Sequence, residues 1–265
     1  MPTTYTHDLF GKKIYRALPA EMKRVIRAHG DLYRIGLHGP DIFFYFMVCK
    51  NPVTRYGVKM HNERAAGFFE QSMALARETK DEALLAYLLG FGCHYLLDSV
   101  CHPYVDAVDA KGRVSHALLE IEFDRVLMER EGKDPRHFYP SDAIVPKYSY
   151  ARVIHEANPA VSPLNTWISL HMMKWFTNAL VCSDNGRKRR ALGRIAAYFG
   201  EGSRRFIVDH FMRKEPAAEC QSVLGELDRL YQKAIAETPA YLEELYGLFK
   251  TAAPLCERWD RTYNG

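Results

Sequence analysis

In Phe91-Gly-Cys-His94-Tyr-Leu-Leu-Asp98-Ser-Val-Cys-His102, three ionisable residues recur every fourth position of an otherwise apolar run. At the helical repeat they form one narrow stripe roughly 12 Å long. The run belongs to a helix predicted to start at Asp81 and to end near His102, where Pro103 would stop it. Three such side chains cannot be buried in an apolar helix without partners. A cation satisfies imidazole and carboxylate together.

Working outward, a second pair follows. Ser115 is placed to cap a helix from His116 to about Arg130, and His116 and Glu120 lie one turn apart on it. Two helices that each present a His and a carboxylate to a bundle interior are a known way to build a metal site. His102, His116 and Glu120 are expected to form a three-ligand group with a position open to water. His94 and Asp98 need further ligands from elsewhere, and Asp98 is placed to bridge two ions. Upstream candidates are Asp41 in Gly39-Pro40-Asp41, His61 in Met60-His61-Asn62, and His7.

The rest of the chain also reads as helical. Helices are predicted over Pro19–His29 with Gly30 as C-cap, and over Asn62–Glu78 with Asn62 as N-cap. Leu164–Cys182, apolar nearly all round, is expected to be the central core helix. Lys188–Phe199, Ser203–Met212, Ala217–Ala236 and Pro239–Phe249 complete the helical set. Leu32–Tyr45 reads as a turn and a short apolar element. It leads into Phe43-Phe44-Tyr45-Phe46, expected in the core, with one or two rings lining substrate as the alternative. Residues 49–58, 104–114 and 131–148 read as loops. No strand-period run, repeat or linker stands out. The expectation is an all-α fold, a single-domain multi-helix bundle over residues 1–265, with the ligands in 1–125 and the later helices as scaffold.

Composition narrows the function classes. The chain has 265 residues and a net charge of +4, with 48% hydrophobic and 26% charged residues, which excludes general disorder. A charge of +4 is too small to argue for nucleic acid. The longest apolar stretch, Leu84–Val100, is interrupted by His94 and Asp98, so no transmembrane span is expected. No signal peptide is visible from Met1 to Asp8, from which a cytoplasmic location is expected. Cysteines 49, 93, 101, 182, 220 and 256 contain no CxxC pair and read as buried free thiols in a reducing compartment, with Cys93 and Cys101 pointing off the histidine stripe. His38 is expected on a loop surface, and His29, His137, His155, His171 and His210 as structural or solvated. Asp8 is a candidate helper of His7. The basic stretch Asn185-Gly-Arg-Lys-Arg-Arg190, with Arg194, Arg204 and Arg205, reads as a solvated helix face or as a peripheral contact with an anionic membrane surface.

These residues resemble the zinc-dependent phospholipase C family and, more distantly, single-strand-specific zinc nucleases. The ordered signature is His, Pro-Asp, His, His-x-x-x-Asp, His, His-x-x-x-Glu, matched by His7, Asp41, His61, His94, Asp98, His102, His116 and Glu120. The resemblance implies an all-helical fold with two or three zinc ions clustered in a cleft. By carry-over Asp41, His61, His94 and Asp98 hold one ion, and Asp98 bridges to a second at His7. His102, His116 and Glu120 hold the third. Asp41 is the implied catalytic general base. The implied activity is hydrolysis of a phospholipid or other phosphodiester by attack of zinc-activated hydroxide on phosphorus, falling away below about pH 6 as ligands protonate. The alternatives are a nuclease-type phosphoesterase and a non-catalytic metal-binding helical domain. Secreted members use an N-terminal Trp as a ligand, and choline-recognising members carry an aromatic residue after the Pro-Asp carboxylate. This chain has no Trp near its start, and Ile42 follows Asp41.

Overall fold

The computed structural model describes residues 4–46, 51–181, 186–198, 200–212 and 215–265. Its α-helices are α1 (Thr4–Ala17), α2 (Ala20–Ala28), α3 (Gly30–Gly36), α4 (Pro52–Asn62), α5 (Ala65–Thr79), α6 (Glu82–Asp109), α7 (His116–Arg130), α8 (Tyr148–Ala157), α9 (Pro163–Ala179), α10 (Arg187–Ala197), α11 (Glu201–Asp209) and α12 (Gln221–Thr251). A 3₁₀ segment, Gly39–Tyr45, joins α3 to the approach of α4. No strand occurs among the described residues, and the fold is all-α.

The central element is α6. Asp81 caps it by accepting from the backbone N–H groups of Ala83 and Leu84, at 2.7 and 2.9 Å. Every residue from Leu84 to Ser99 is buried. By length and composition α6 could cross a membrane, but 94% of that window is buried inside the protein, so it is a core helix. Helices α1, α2, α3, α5, α7, α8 and α12 pack around it. The tightest crossing is with α3. A Cβ on Gly36 would lie 2.2 Å from the Tyr87 carbonyl oxygen, and one on Gly90 would lie 2.1 Å from that of Tyr33. Two glycines therefore let the backbones touch, and α3 delivers the 3₁₀ segment with Asp41 against the ligand stripe.

Several boundaries differ from the sequence reading, each for a local reason. Pro103 does not end α6, which runs on to Asp109 because Val105 and Val108 still bury against the bundle. Pro239 likewise lies inside α12, where Thr238 and Leu242 are buried on either side of it. Part of the expected loop at 49–58 is the start of α4. Asn51 accepts from Thr54 N and Pro52 sits in the first turn, which are ordinary start signals. Asn62 closes α4 and does not cap α5. Gly30 opens α3 where a C-cap was expected. Helices α1 and α8 had no sequence assignment. α9 is not the central helix: Leu164 and Trp175 are 52% and 67% exposed, because α6 already fills the centre and α9 buries only one face. Cys93, Cys101 and Cys220 are buried free thiols, whereas Cys256 is exposed. Cys49, Cys182 and Asn185 lie outside the described residues.

Gly90→Ala is expected to cost about 1–3 kcal/mol by overpacking at the α3–α6 crossing. Gly67→Ala, inside α5 with no atom near the added carbon, is expected to stabilise by about 0.5–1 kcal/mol. Denaturant unfolding of both variants checks this, and equal effects would contradict the close-approach argument.

Candidate metal centre

His94, Asp98 and His102 all lie on the inner face of α6 and are buried. His94 Nε2 lies 3.0 Å from Asp98 Oδ2, and His102 Nε2 lies 3.6 Å from the same oxygen. Three neighbouring elements bring the remaining donors to this stripe.

Helix α1 brings His7. Its first turn is held by Asp124 of α7, which accepts from Thr6 N at 2.8 Å, Thr6 Oγ1 at 2.5 Å and Tyr5 N at 3.3 Å. Burial pushes the Asp124 carboxyl up to about 7 against the pull of those three donors. Asp124 lies one turn beyond Glu120, so the helix that carries one candidate ligand also anchors the helix that carries another. The His7 ring stacks on His94 with centroids 4.6 Å apart, and its Nε2 is 3.3 Å from Asp98 Oδ1. Asp8, one residue on, does not assist His7. It pairs with Arg34 and Lys12.

The 3₁₀ segment brings Asp41. Its first residue, Gly39, has φ +48, and a Cβ there would lie 2.2 Å from the His94 ring, so only glycine lets the chain pass. His38, expected at the surface, is wholly buried in the same turn. Burial and the neighbouring His7 push it down to about 3, so it is neutral. Helix α4 brings His61, whose Nδ1 donates to Gly57 O at 2.9 Å and whose Nε2 faces Asp41 Oδ1 at 2.9 Å. Phe44 stacks on that imidazole at 4.9 Å, while Phe43, Tyr45 and Phe46 are buried.

Helix α7 brings His116 and Glu120. Ser115 caps it by accepting from Leu118 N. His116 Nε2 lies 3.0 Å from Glu120 Oε1, and its Nδ1 donates to Asp106 Oδ1 at 3.0 Å. Asp106 is available only because α6 continues past Pro103. His102 Nε2 lies 3.5 Å from Glu120 Oε1, and its Nδ1 donates to Asn264 Oδ1 at 3.4 Å. His61, His102 and His116 are thus each tied at Nδ1, leaving Nε2 to face the carboxylates, the outer-shell pattern of metal-binding histidines.

Asn264 and Tyr263 escaped the sequence reading. The segment 256–265 crosses α6: Tyr95 Oη donates to Arg258 O at 2.6 Å, Arg258 Nη2 donates to Ser99 Oγ at 2.8 Å, and Trp259 is buried against Phe69 and Tyr95. This seats the Tyr263 ring 5.2 Å from His61 and 5.9 Å from His94. No spacing rule connects residues 162 positions apart.

One donor atom from each of His7, Asp41, His94 and Asp98 lies within 4.8 Å of the others, and the same holds for His102, His116 and Glu120. His61 joins the first group through Asp41. Donors around a zinc ion at about 2.0–2.2 Å stand roughly 3–4 Å apart. Several buried polar atoms have no hydrogen-bond partner: both ring nitrogens of His94, His7 Nδ1, Asp41 Oδ1 and Asp98 Oδ2. His94 Nε2 and Asp98 Oδ2 are close, but they lack hydrogen-bond alignment. Buried lone pairs facing one another are what a cation between them satisfies. The residues therefore suit a divalent metal with mixed imidazole and carboxylate donors.

The electrostatics agree. Burial alone would raise all three carboxyls. His94 and His61 instead hold Asp41 at about 2, the histidines around Asp98 keep it well below the carboxylate range, and His116 does the same for Glu120. Burial lowers His94 against the pull of Asp98 and Asp41, which favours the neutral form that ligation uses. The Glu120 charge raises His116 to about 9. His116 is the most exposed donor, 24% at the side chain, so the site opens toward it. A cavity of about 30 Å³ is lined by donors of both groups, His7, Asp98, His102 and Glu120, together with Thr6, Cys101, Phe123 and Tyr231.

Comparison with known proteins adds one result. A family model described as zinc dependent phospholipase C matches residues 6–178. No curated protein and no solved structure matches the chain.

Two outcomes are expected. With His116 raised in the fold, its pairing stabilises the metal-free protein fully below about pH 6.5 and is lost as pH rises through about 9. The melting temperature of metal-free protein should fall over that window. Zinc-loaded protein and His116→Gln should lack this component, and a shared slope in all three would refute the pairing. Asn264→Ala should weaken zinc at the His102 group by about 10–100-fold, read by competition with a chromogenic chelator, while the His7 group keeps its affinity.

Proposed function

From its membership of the zinc-dependent phospholipase C family, we propose that this chain hydrolyses phosphodiester bonds, with phospholipids as the substrate class and zinc as the resident metal. The observation that carries the reading is the pair of adjoining donor groups, joined through His102 between Asp98 and Glu120. Asp41, His61, His94, Asp98 and His7 would hold metal on one side, and His102, His116 and Glu120 on the other. Three donors in the second group leave a position of a tetrahedral site for water or substrate. Bound zinc supplies Lewis acidity toward phosphate oxygens and acidifies a coordinated water toward neutrality.

The remaining chemistry belongs to the chain. Asp41 is ionised throughout the physiological range, and burial has already stripped its carboxylate of bulk water. Asp41 would help hold the metal, and its carboxylate would accept the proton of the attacking water. The hydrogen bonds at Nδ1 of His61, His102 and His116 fix the tautomers, so no side chain must reorganise as charge develops on phosphorus. Tyr263 and Phe44 flank His61 and keep water from that edge of the site. The phosphodiester head would enter from the side of His116, the most exposed of the donors.

Zinc-loaded protein is expected to cleave a short-chain phosphatidyl lipid to a diacylglycerol and a phosphorylated headgroup, faster than it degrades single-stranded DNA. Chelation should abolish turnover and zinc should restore it. Asp41→Asn should lower kcat by about 10²–10⁴-fold. Zinc near zero per chain, or turnover that survives chelation, would refute the reading. Faster cleavage of single-stranded DNA than of lipid would move it to the nuclease-type alternative.

A further inference from the structure

Outside the two donor groups, α9, α10 and α11 enclose an open groove of about 670 Å³, none of whose lining residues is a candidate ligand. Trp175 and Phe176 line it from α9, Leu180 from the residue that follows, Leu192 and Ile195 from α10, and Ile207 from α11. The rim is unusually exposed for apolar side chains: Trp175 67%, Ile195 56% and Leu192 36%, with Tyr198 at 92% just beyond α10. Large apolar side chains clustered this openly mark an interaction surface.

The charge of the same region identifies the partner. Residues 187–209 contain seven Lys or Arg and two acids, a net of +5 against +4 for the whole chain, so the other 242 residues together carry −1. Arg187, Arg190 and Arg194 recur at three- and four-residue spacing on α10, on the side away from Leu192 and Ile195. Their long apolar stems let the charges reach past the groove walls. An exposed Trp and Tyr, an apolar floor and a cationic flank match the layers of an anionic lipid bilayer: aromatic residues at the interface, apolar groups in the acyl region, cations at the phosphates. Nucleic acid would use the charge and leave the apolar groove unfilled. A second copy of the chain would meet like charge.

We propose that the α9–α11 groove and its basic flank form a docking face for an anionic phospholipid bilayer. This choice of partner rests on the phospholipid reading of the metal centre. The face would hold the protein on the surface that contains its substrate, with no membrane-spanning segment required.

The test is co-sedimentation of zinc-loaded protein with vesicles of phosphatidylcholine alone and with about 30% phosphatidylglycerol, with a soluble bis-aryl phosphodiester assayed in parallel. Anionic lipid should raise the bound fraction by about tenfold or more, and about 0.5 M salt should reverse the gain. Brominated acyl chains should quench tryptophan emission, and Trp175→Phe should remove most of that quenching. Ile195→Glu and the double variant Arg190→Glu/Arg194→Glu should each cut vesicle binding about tenfold or more and leave soluble turnover unchanged. Vesicle binding that is retained while soluble turnover is absent would sink the hydrolase reading and support the face. Soluble turnover with no preference for anionic vesicles would overturn the face alone. Displacement of the protein by single-stranded DNA without any Trp175 quenching, or a dimer abolished by Ile195→Glu with no vesicle binding, would also overturn it.

Discussion

The bundle depends on one electrostatic constraint: five imidazoles and three carboxylates share an interior from which water is largely excluded. Removing a carboxylate from water is costly unless opposite charge replaces the lost solvation. The histidines supply part of that replacement, and the donor set suits a divalent cation for the rest. Much of the architecture serves this arrangement. The apolar body of α6 excludes water from the stripe. Gly36 and Gly90 let α3 close on it, and Gly39 lets the chain turn against the His94 ring. The Asp124 cap locks α1 to α7, so His7 and Glu120 are positioned by one shared strut.

What the sequence revealed of the site was its short-range periodicity. His94, Asp98 and His102, and then His116 and Glu120, announce themselves because one helical turn is a fixed translation between side chains. Supporting groups have no such signature. Asp106 sits in a stretch that reads as a polar loop once Pro103 is taken as a stop, yet tertiary burial of Val105 and Val108 outweighs the proline's cost. His38 looks solvent-facing beside a Gly-Pro turn, but the turn folds inward because Asp41 must reach the stripe. Asn264 reaches His102 only through the buried anchors Trp259 and Tyr263. The all-α class was legible from period alone. The identity of the central helix was not, since α9 is as apolar in composition as a core helix and differs only in what packs against it.

The two ends of the chain divide the work unevenly. Candidate ligands come from the first 120 residues, and the outer support of His102 comes from the last two. Between them, α10 and α11 hold all of the excess positive charge. α11 nevertheless reaches the ligand helix: Ser115, which caps α7 one residue before His116, donates to Asp209 Oδ2 at 2.6 Å, and Arg205 lies 3.4 Å from the same oxygen. The basic region and the ligand helix are thus joined through that polar contact, so a change at Asp209 or Arg205 bears on both.

The strap formed by residues 256–265 has a consequence for how the protein matures. Cells build chains from the N-terminus at roughly 5–20 residues per second. The candidate ligands emerge early, but His102 lacks its outer support until Asn264 has been added. During that interval the Nδ1 of His102 has no Asn264 to fix its ring orientation. Firm outer support for His102 is therefore a late event in the folding of this region, because it waits for the strap to seat across α6.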